Sequence, residues 1–140
     1  MTNVLVCIKR VPETSGQILL SEDAQTIDAR HVGYTVSPHE ECAVELAIQV
    51  AKETDGEATV LTVGSEESIA QLRDAVAVGC SAAVLVEADT ERFGPADVAE
   101  TIAVVVKDHE SAGSPFDLIL LGNDAADTGD FQVGVRLAYK

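Results

Sequence analysis

Residues 118–138 combine residue types that could bind an anion. They read LILLGNDAADTGDFQVGVRLA: a short apolar run, a polar loop and a helix-like pattern. Where a strand and a loop of small residues lead into a helix, backbone N–H groups lack partners and the helix dipole is positive, so a nucleotide phosphate can bind. The alternative is an ordinary turn with helix-capping acids, because Asp124, Asp127 and Asp130 would repel a phosphate that they faced.

Other familiar chemical motifs are absent from the chain. It lacks G-x-G-x-x-G after its first apolar run, G-x-x-x-x-G-K-[ST], G-x-S-x-G and the S-G-G-x-D-S loop of adenylating enzymes. His31, His39 and His109 are scattered, and the three aspartates do not have the spacing of a calcium loop, which leaves Mg²⁺ as a minor alternative. We therefore predict no metal site and no catalytic residue.

Three cysteines bear on the cellular compartment. Cys7, Cys42 and Cys80 are widely separated, form no C-x-x-C and lie in apolar contexts, which predicts three buried free thiols in a reducing compartment. The start of the chain does not read as a signal peptide, and no segment is long enough to span a bilayer. We expect a cytoplasmic protein without membrane insertion.

The charge balance is strongly acidic. Acidic residues number 24 against 9 basic ones, for a net charge of −15, which argues against nucleic acid and anionic membranes as partners. Adaptation to a high-salt cytoplasm would explain this excess, and an ordinary acidic mesophilic protein is the alternative. A chain of 140 residues fits one domain with an aliphatic core.

The elements that must position these residues are readable from apolar periodicity. Parallel strands are predicted at residues 4–8, 58–63, 82–86 and 118–121. A capping box of Ser37 and Glu40, with Pro38 at the first helical position, begins the first intervening helix. The next helices begin after Ser65 and at residues 93–95, and a last helix begins near Phe131 or Gln132.

Helical spacing also predicts which side chains enter the core. In the second helix, which Gly79 ends, Ile69, Leu72 and Val76 share one face. In the third, the predicted core positions are Val98, Ile102, Val105 and Val106. Between the first strand and the first helix, residues 18–20 and 26–27 could pair as a short hairpin.

This alternation predicts an α/β fold: a Rossmann-like, three-layer arrangement with helices on both faces of a parallel sheet and a short hairpin excursion after strand 1. Every connection that follows a strand then lies at one edge of the sheet. That edge collects Lys9 and Arg10 with residues 64–65, 87–94 and 122–130, and the binding crevice is expected there.

Four segments, in order, resemble the amino-terminal domain of the beta subunit of electron transfer flavoprotein. They are VLVCIKRVPET, TVSPHEECAVELA, LTVGSEESIAQLRDAVAVGCSAAVLVE and LILLGNDAADTGDFQVGVRLA. The resemblance covers essentially all of residues 1–140 and implies an adenine nucleotide alpha-hydrolase-like fold. It also implies an incomplete nucleotide-binding domain, without the C-terminal part of the family, and apolar surface that favours self-association.

The resemblance implies a structural AMP that does no redox chemistry. Its base and ribose would lie against Cys7, Val63 and the helix start, which is Ser37, Pro38, His39 and Glu40. Its phosphate would lie in the loop formed by Asn123, Asp124, Ala125, Ala126, Asp127, Thr128, Gly129, Asp130, Phe131, Gln132, Val133 and Gly134. Thr128 and Gln132 would hydrogen-bond it directly, together with backbone N–H groups of residues 128–133, while the aspartates brace the loop.

The function implied by the resemblance is electron transfer without enzymatic activity. The chain would pair with an alpha subunit that holds most of the FAD site and would carry electrons from acyl-CoA and related dehydrogenases to a quinone reductase. The chain departs from the family where Ser37 replaces Asn and Glu40 replaces Cys, and a carboxylate there could weaken AMP binding. It departs again at Asn123 and at residues 127–129. The alternatives are a stand-alone, stress-protein-like module that binds adenine nucleotides, and a nucleotide hydrolase, for which no nucleophile is visible.

Overall fold

The computed structural model describes residues 1–90 and 92–140. The elements in chain order are β1 (Val4–Cys7), β2 (Arg10–Pro12), β3 (Tyr34–Val36), α1 (Pro38–Glu53), β4 (Ala58–Gly64), α2 (Ile69–Val78), β5 (Ala82–Glu87), α3 (Pro95–Ser111), β6 (Leu118–Leu121) and α4 (Val133–Leu137). The four predicted strands and four predicted helices are all present. None of the described helices combines the length and apolar character needed to cross a bilayer.

The main sheet is parallel and has the strand order β5-β4-β1-β6. Val4 of β1 lies opposite Ala58 on one side and Leu118 on the other, so β1 is central. The chain leaves β1 toward β4 and returns to the far side of β1 only with β6, which makes the β1/β6 junction the point where the winding direction changes. Such a switch point opens a crevice beyond the carboxyl ends of the strands.

Side-chain alternation along β1 divides the core between two helical layers. Val4 and Val6 pack with α1 and α2 on one face, and Leu5 and Cys7 pack toward α3 and α4 on the other. Because both faces are covered, the strands read as continuous apolar runs. The predicted three-layer α/β fold is confirmed.

The excursion after β1 differs in detail from the prediction. The predicted hairpin consists of one isolated antiparallel bridge, between Leu20 and Ile27. The longer pairing lies outside it, where β2 and β3 run antiparallel and Arg10 lies opposite Val36. Each of these strands has three residues, which is too short for a period-2 pattern to be recognised in the sequence.

Helix boundaries follow the predicted signals closely. Ser37 and Glu40 occupy a capping box with Pro38 at the start of α1. Gly79 ends α2 with a φ of 141°, a backbone conformation that residues with a Cβ rarely adopt. The short helix α4 begins at Val133, just after the predicted start.

Three predictions of burial are corrected. Cys42 is exposed rather than buried, because it lies on the outer face of α1, whose buried positions include Ala43, Ala47 and Ala51. Val76 is 41% exposed, and the buried face of α2 is formed by Gln71, Leu72 and Ala75 instead. In α3 the fully buried positions are Ala99, Ile102 and Ala103, while Val98, Val105 and Val106 are only partly buried. In each helix the buried face includes small or polar residues, among them Ala43, Gln71 and Ala99, and not only the larger apolar ones.

Candidate functional site

A cavity of about 200 Å³ lies beyond the carboxyl ends of β1 and β6. Cys7 and Lys9 line it from β1 and the residues just after it, Gly122 from the end of β6, and Glu40 from the first turn of α1. The parallel pairing of β1 with β6 brings these strand ends together. The cavity is therefore at the sheet edge that the sequence predicts for a binding crevice.

Glu40 is the unusual group in this cavity, because its carboxylate is buried. The residue is 7% exposed, and Oε2 accepts hydrogen bonds from the backbone N–H groups of Lys9 at 3.1 Å and Ser37 at 3.4 Å. Burial raises the pKa of Glu40 to about 7, even though those two bonds and the charge of Lys9 favour the ionised form. Near neutral pH this carboxyl group exchanges between its charged and neutral forms.

Cys7 lies next to this carboxylate and is also buried. Desolvation raises the pKa of its thiol to about 12, and the negative charge of Glu40 adds to that effect. Because the thiolate is the reactive form of cysteine, Cys7 is an apolar wall residue at physiological pH and not a nucleophile.

Hydrogen bonds and an ion pair hold the loop of residues 123–130 to the start of α1 and to the end of β1. The backbone N–H of Ala126 donates to Ser37 Oγ at 3.0 Å, which ties the loop to the start of α1. Lys9 Nζ lies 2.8 Å from Asp127 Oδ1, which ties it to the end of β1. Asn123 with a φ of 68° and Gly129 with a φ of 65° give the loop its sharp bends.

The structure brings most of the residues named from the sequence to the cavity. Those that line it are Cys7, Glu40, Val63, Asn123, Asp124, Ala125, Thr128, Asp130, Val133 and Gly134. The remainder do not line it: Ser37, Pro38, His39, Ala126, Asp127, Gly129, Phe131 and Gln132. Thr128 and Gln132, both predicted to hydrogen-bond the phosphate, are placed differently. Thr128 lines the cavity. Gln132 does not, and its Oε1 accepts a hydrogen bond from the Arg136 guanidinium at 2.8 Å.

Sequence reasoning missed one wall of the cavity. Phe93, Gly94 and Pro95 line it from the connection between β5 and α3, together with Val98 of α3. The available signal was topological, because residues 87–94 had already been placed at this edge. The family resemblance drew attention to the other walls only.

The polar groups of the cavity are mostly hydrogen-bond acceptors. Asp124 Oδ1 is buried and has no hydrogen-bond partner among residues 1–90 and 92–140. Glu40 and Asp130 add two more carboxylates, and Lys9 is the one basic side chain of the described lining. A buried acceptor without a donor is costly, so this arrangement suits a ligand that brings hydroxyl or amino donors. Within the part of the chain that is described, no cluster of three or more His, Cys, Asp or Glu side chains could hold a metal ion.

Comparison with known proteins gives the same family along most of the chain. The electron transfer flavoprotein domain family matches residues 25–140. The chain is 36% identical to the electron transfer flavoprotein subunit beta of Bacillus subtilis (strain 168), covering 97% of this chain and 51% of that protein. It is 31% identical to the acryloyl-CoA reductase electron transfer subunit gamma of Anaerotignum propionicum, covering 98% and 51%.

A third relative is the protein FixA of Azorhizobium caulinodans (strain ATCC 43989 / DSM 5975 / JCM 20966 / LMG 6465 / NBRC 14845 / NCIMB 13405 / ORS 571), which is 35% identical over 99% of this chain and 49% of its own length. The chain thus spans about half the length of the curated relatives it matches. The family match covers most of the sequence. The chain belongs to the electron transfer flavoprotein domain family.

Proposed function

We propose that the cavity at the β1/β6 junction binds AMP. The observation that carries this proposal is the pairing of buried acceptors with one cation: Asp124 Oδ1 without a partner, the buried Glu40 carboxylate, and Lys9 at the mouth. The ribose hydroxyls and the adenine amino group of AMP are donors that can satisfy such acceptors. Its phosphate requires a positive group, and Lys9 supplies one.

The phosphate end of the nucleotide is assigned to the side of Lys9 and Thr128. Lys9 Nζ lies 3.5 Å from Thr128 Oγ1, so one ammonium and one hydroxyl are adjacent at that end of the cavity. Without a ligand, Lys9 forms an ion pair with Asp127. A phosphate must therefore compete with Asp127 for Lys9, and the loop of residues 123–130 would shift outward when AMP binds.

An outward shift of this loop also agrees with the size of the cavity. Its volume of about 200 Å³ is below the roughly 300–1,000 Å³ of typical small-molecule sites. The loop is held by the contacts of Lys9 with Asp127 and Thr128, which are partly exposed, and by the hydrogen bond from Ala126, and each of these contacts is weak. Binding of AMP can break them at modest cost.

AMP in this position would have a structural role, and we infer that the chain serves as part of an electron carrier. Family membership and the electron-transfer names of two relatives support this inference. The full protein would pair with an alpha subunit that carries FAD, which supplies the redox chemistry, and would pass electrons from dehydrogenases to a quinone reductase. With the Cys7 thiol protonated, no side chain described for the cavity is poised as a nucleophile, so no nucleotide turnover is expected.

Calorimetric titration of the chain with AMP, adenosine and ATP tests the nucleotide proposal. We expect AMP to bind more tightly than adenosine. Lys9→Met should lower the affinity for AMP by about tenfold, which corresponds to the loss of one charge-assisted hydrogen bond, and should leave the affinity for adenosine unchanged. Lys52→Met is the matched control, because Lys52 is exposed in the last turn of α1. Hydrolysis of ATP, or AMP affinity that is equal in all three proteins, would contradict the proposal.

Co-expression with an electron transfer flavoprotein alpha subunit tests the partner assignment separately. The expected result is a complex that co-purifies, is yellow and shows a flavin absorption spectrum. If the two chains elute separately while this chain still binds AMP, the nucleotide proposal stands and the electron-carrier proposal fails.

A further inference from the structure

A second cavity, of about 300 Å³, lies on the opposite face of the sheet. Residues of α1, α2 and β3 line it, and its wall is apolar where Ile8, Val36, Val44 and Ala75 line it. The nucleotide proposal assigns no role to this cavity, because the AMP site is built from the loop after β6 and from the α3 side of the sheet.

Gln71, which lines this second cavity, carries an unsatisfied acceptor. The residue is 6% exposed and lines the cavity from α2. Its Nε2 donates to the carbonyl oxygen of Tyr34 at 3.3 Å, and since a carbonyl can only accept, that bond fixes which end of the amide is nitrogen. The other end, Oε1, is buried and has no hydrogen-bond partner among the described residues. A buried acceptor of this kind marks a position where a donor is missing.

Three carboxylates also line this cavity: Glu41 and Glu45 from α1, and Asp74 from α2. Asp74 follows Gln71 by three positions, which places both on the same face of the helix. The ion pairs of residues 1–90 and 92–140 are Lys9 with Asp127, Arg10 with Glu67, Arg30 with Asp28, and Lys140 with Glu100. None of them includes a carboxylate of this cavity, and no basic residue is among its described lining, so the lining carries a net negative charge.

The guanidinium of Arg10, which stacks on a residue of the cavity lining, is already engaged elsewhere. Arg10 lies over the ring of Tyr34, with its guanidinium carbon 3.4 Å from the ring centroid, and pairs with Glu67 at 2.9 Å. Its charge is therefore balanced by Glu67 and directed at the aromatic ring. It does not supply the donor that Gln71 Oε1 lacks.

We propose that this cavity binds a small organic cation of the alkylammonium type, whose N–H group donates to Gln71 Oε1 and whose hydrocarbon stem packs on the apolar wall. The unsatisfied acceptor favours a ligand with a hydrogen-bond donor, and the three carboxylates favour a positively charged one. Val44 and Ala75 favour an alkyl chain, which can pack against them. A free small molecule suits this site, because residues of three elements converge on the cavity and its volume is that of a small-ligand site.

The probe that tests this is n-butylammonium, with 1-butanol and butyrate as neutral and anionic molecules of the same chain length. Each is titrated into the isotopically labelled chain, and dissociation constants are taken from the NMR shifts of the Gln71 side-chain amide and the Val44 methyl groups. We expect n-butylammonium to bind more tightly than 1-butanol and butyrate not to bind. Equal binding of the ammonium and the alcohol would overturn the proposal.

Variants assign the binding to particular side chains. Gln71→Leu replaces the side chain with one of similar size that lacks the acceptor. It should lower the affinity for n-butylammonium by about tenfold. Asp74→Asn, on the exposed surface of α2, should weaken it several-fold without risk to folding. Glu110→Gln on α3, on the other face of the sheet, is the control of equal charge change and should have no effect. If Asp74→Asn and Glu110→Gln weaken binding equally, the cation is held only by the diffuse negative charge of the surface, and the proposed site is refuted.

Discussion

At the scale of single residues, the buried carboxylate of Glu40 is the main electrostatic feature of the molecule. Two backbone N–H groups and the start of a helix stabilise its charge. Burial nevertheless has the larger effect, so the pKa is raised to about 7 from its ordinary value of 4.5. A residue that caps a helix and faces a proposed nucleotide is thus held near its point of half-ionisation.

The pH dependence of stability follows from that shift. Because the pKa of Glu40 is higher in the folded state, its contribution is fully present below the ordinary pKa of 4.5 and is lost as pH rises through about 7. Glu40→Gln, which is neutral throughout, should therefore gain stability relative to the unmodified chain as pH rises from 5 to 8, by up to about 3 kcal/mol.

Urea unfolding of both proteins across that pH range measures the effect. Glu41→Gln is the control for the loss of one carboxylate, because Glu41 is exposed on the same helix turn. A difference for Glu40→Gln that is flat with pH would mean that the Glu40 carboxyl group titrates as it does in the unfolded chain.

At the scale of elements, the end of β6 and the start of α1 meet at Gly122. A Cβ added at Gly122 would lie 2.4 Å from Glu40 Cγ and 2.7 Å from the backbone nitrogen of Glu40. The backbone of α1 cannot yield by that much, so Gly122→Ala should destabilise the fold by about 1–3 kcal/mol.

Gly134→Ala provides the matched comparison for Gly122→Ala. A Cβ at Gly134 would lie 3.8 Å from Leu121 Cδ1, an ordinary contact. Since alanine is also the better helix former, this change in α4 should be neutral or stabilising by up to about 1 kcal/mol. Thermal unfolding of both variants measures this difference. An equal loss of stability in the two variants would contradict the close approach of the α1 backbone to position 122.

Ser37 joins two elements, the start of α1 and the loop after β6. Replacing it with alanine removes the oxygen that accepts from the backbone N–H of Ala126, as well as a favourable N-cap residue, and should cost about 1 kcal/mol. Hydrogen exchange at the Ala126 amide should become faster. Ser65→Ala is the control, because the Ser65 side chain makes no capping hydrogen bond, and faster exchange at Ala126 in that variant would argue against a specific tie.

Most of these elements could be predicted because their signals are local. A few adjacent residues are enough to predict the capping box at Ser37, the end of α2 at Gly79 and the start of α3 at Pro95. The strands were predicted from continuous apolar runs. The exposure of Cys42 and Val76 could not be read in this way, because it depends on which helical face meets the sheet.

The orphaned acceptors Asp124 Oδ1 and Gln71 Oε1 depend on contacts between distant segments. Such contacts leave no trace in a local pattern. The two cavities that these atoms mark were therefore visible only in part from the sequence: the first as an expected edge of the sheet, the second not at all.

At the scale of the whole molecule, acidic residues greatly outnumber basic ones. Acidic residues number 24 against 9 basic ones, for a net charge of −15, so most carboxylates have no basic residue to balance them. Four ion pairs form among the described residues. Exposed acids such as Glu41, Glu45 and Asp74 add like charges to one surface. Two like charges about 10 Å apart in water repel each other by roughly 0.4 kcal/mol, and many such pairs sum to a cost that the unfolded chain, being more extended, largely avoids.

Added salt should therefore stabilise this protein. The Debye length falls from about 30 Å at 0.01 M to about 3 Å at 1 M, so repulsion between carboxylates on the same surface is largely removed over that range. We expect the urea midpoint of unfolding to rise with NaCl concentration, corresponding to a gain of at least about 1 kcal/mol. Neutralising the α3 carboxylates with Asp108→Asn and Glu110→Gln should reduce that slope, whereas Lys52→Met should increase it. A midpoint that is unchanged from low to high NaCl would show that the acidic surface imposes no cost on the folded state, and adaptation to a salt-rich cytoplasm would then lose its physical basis.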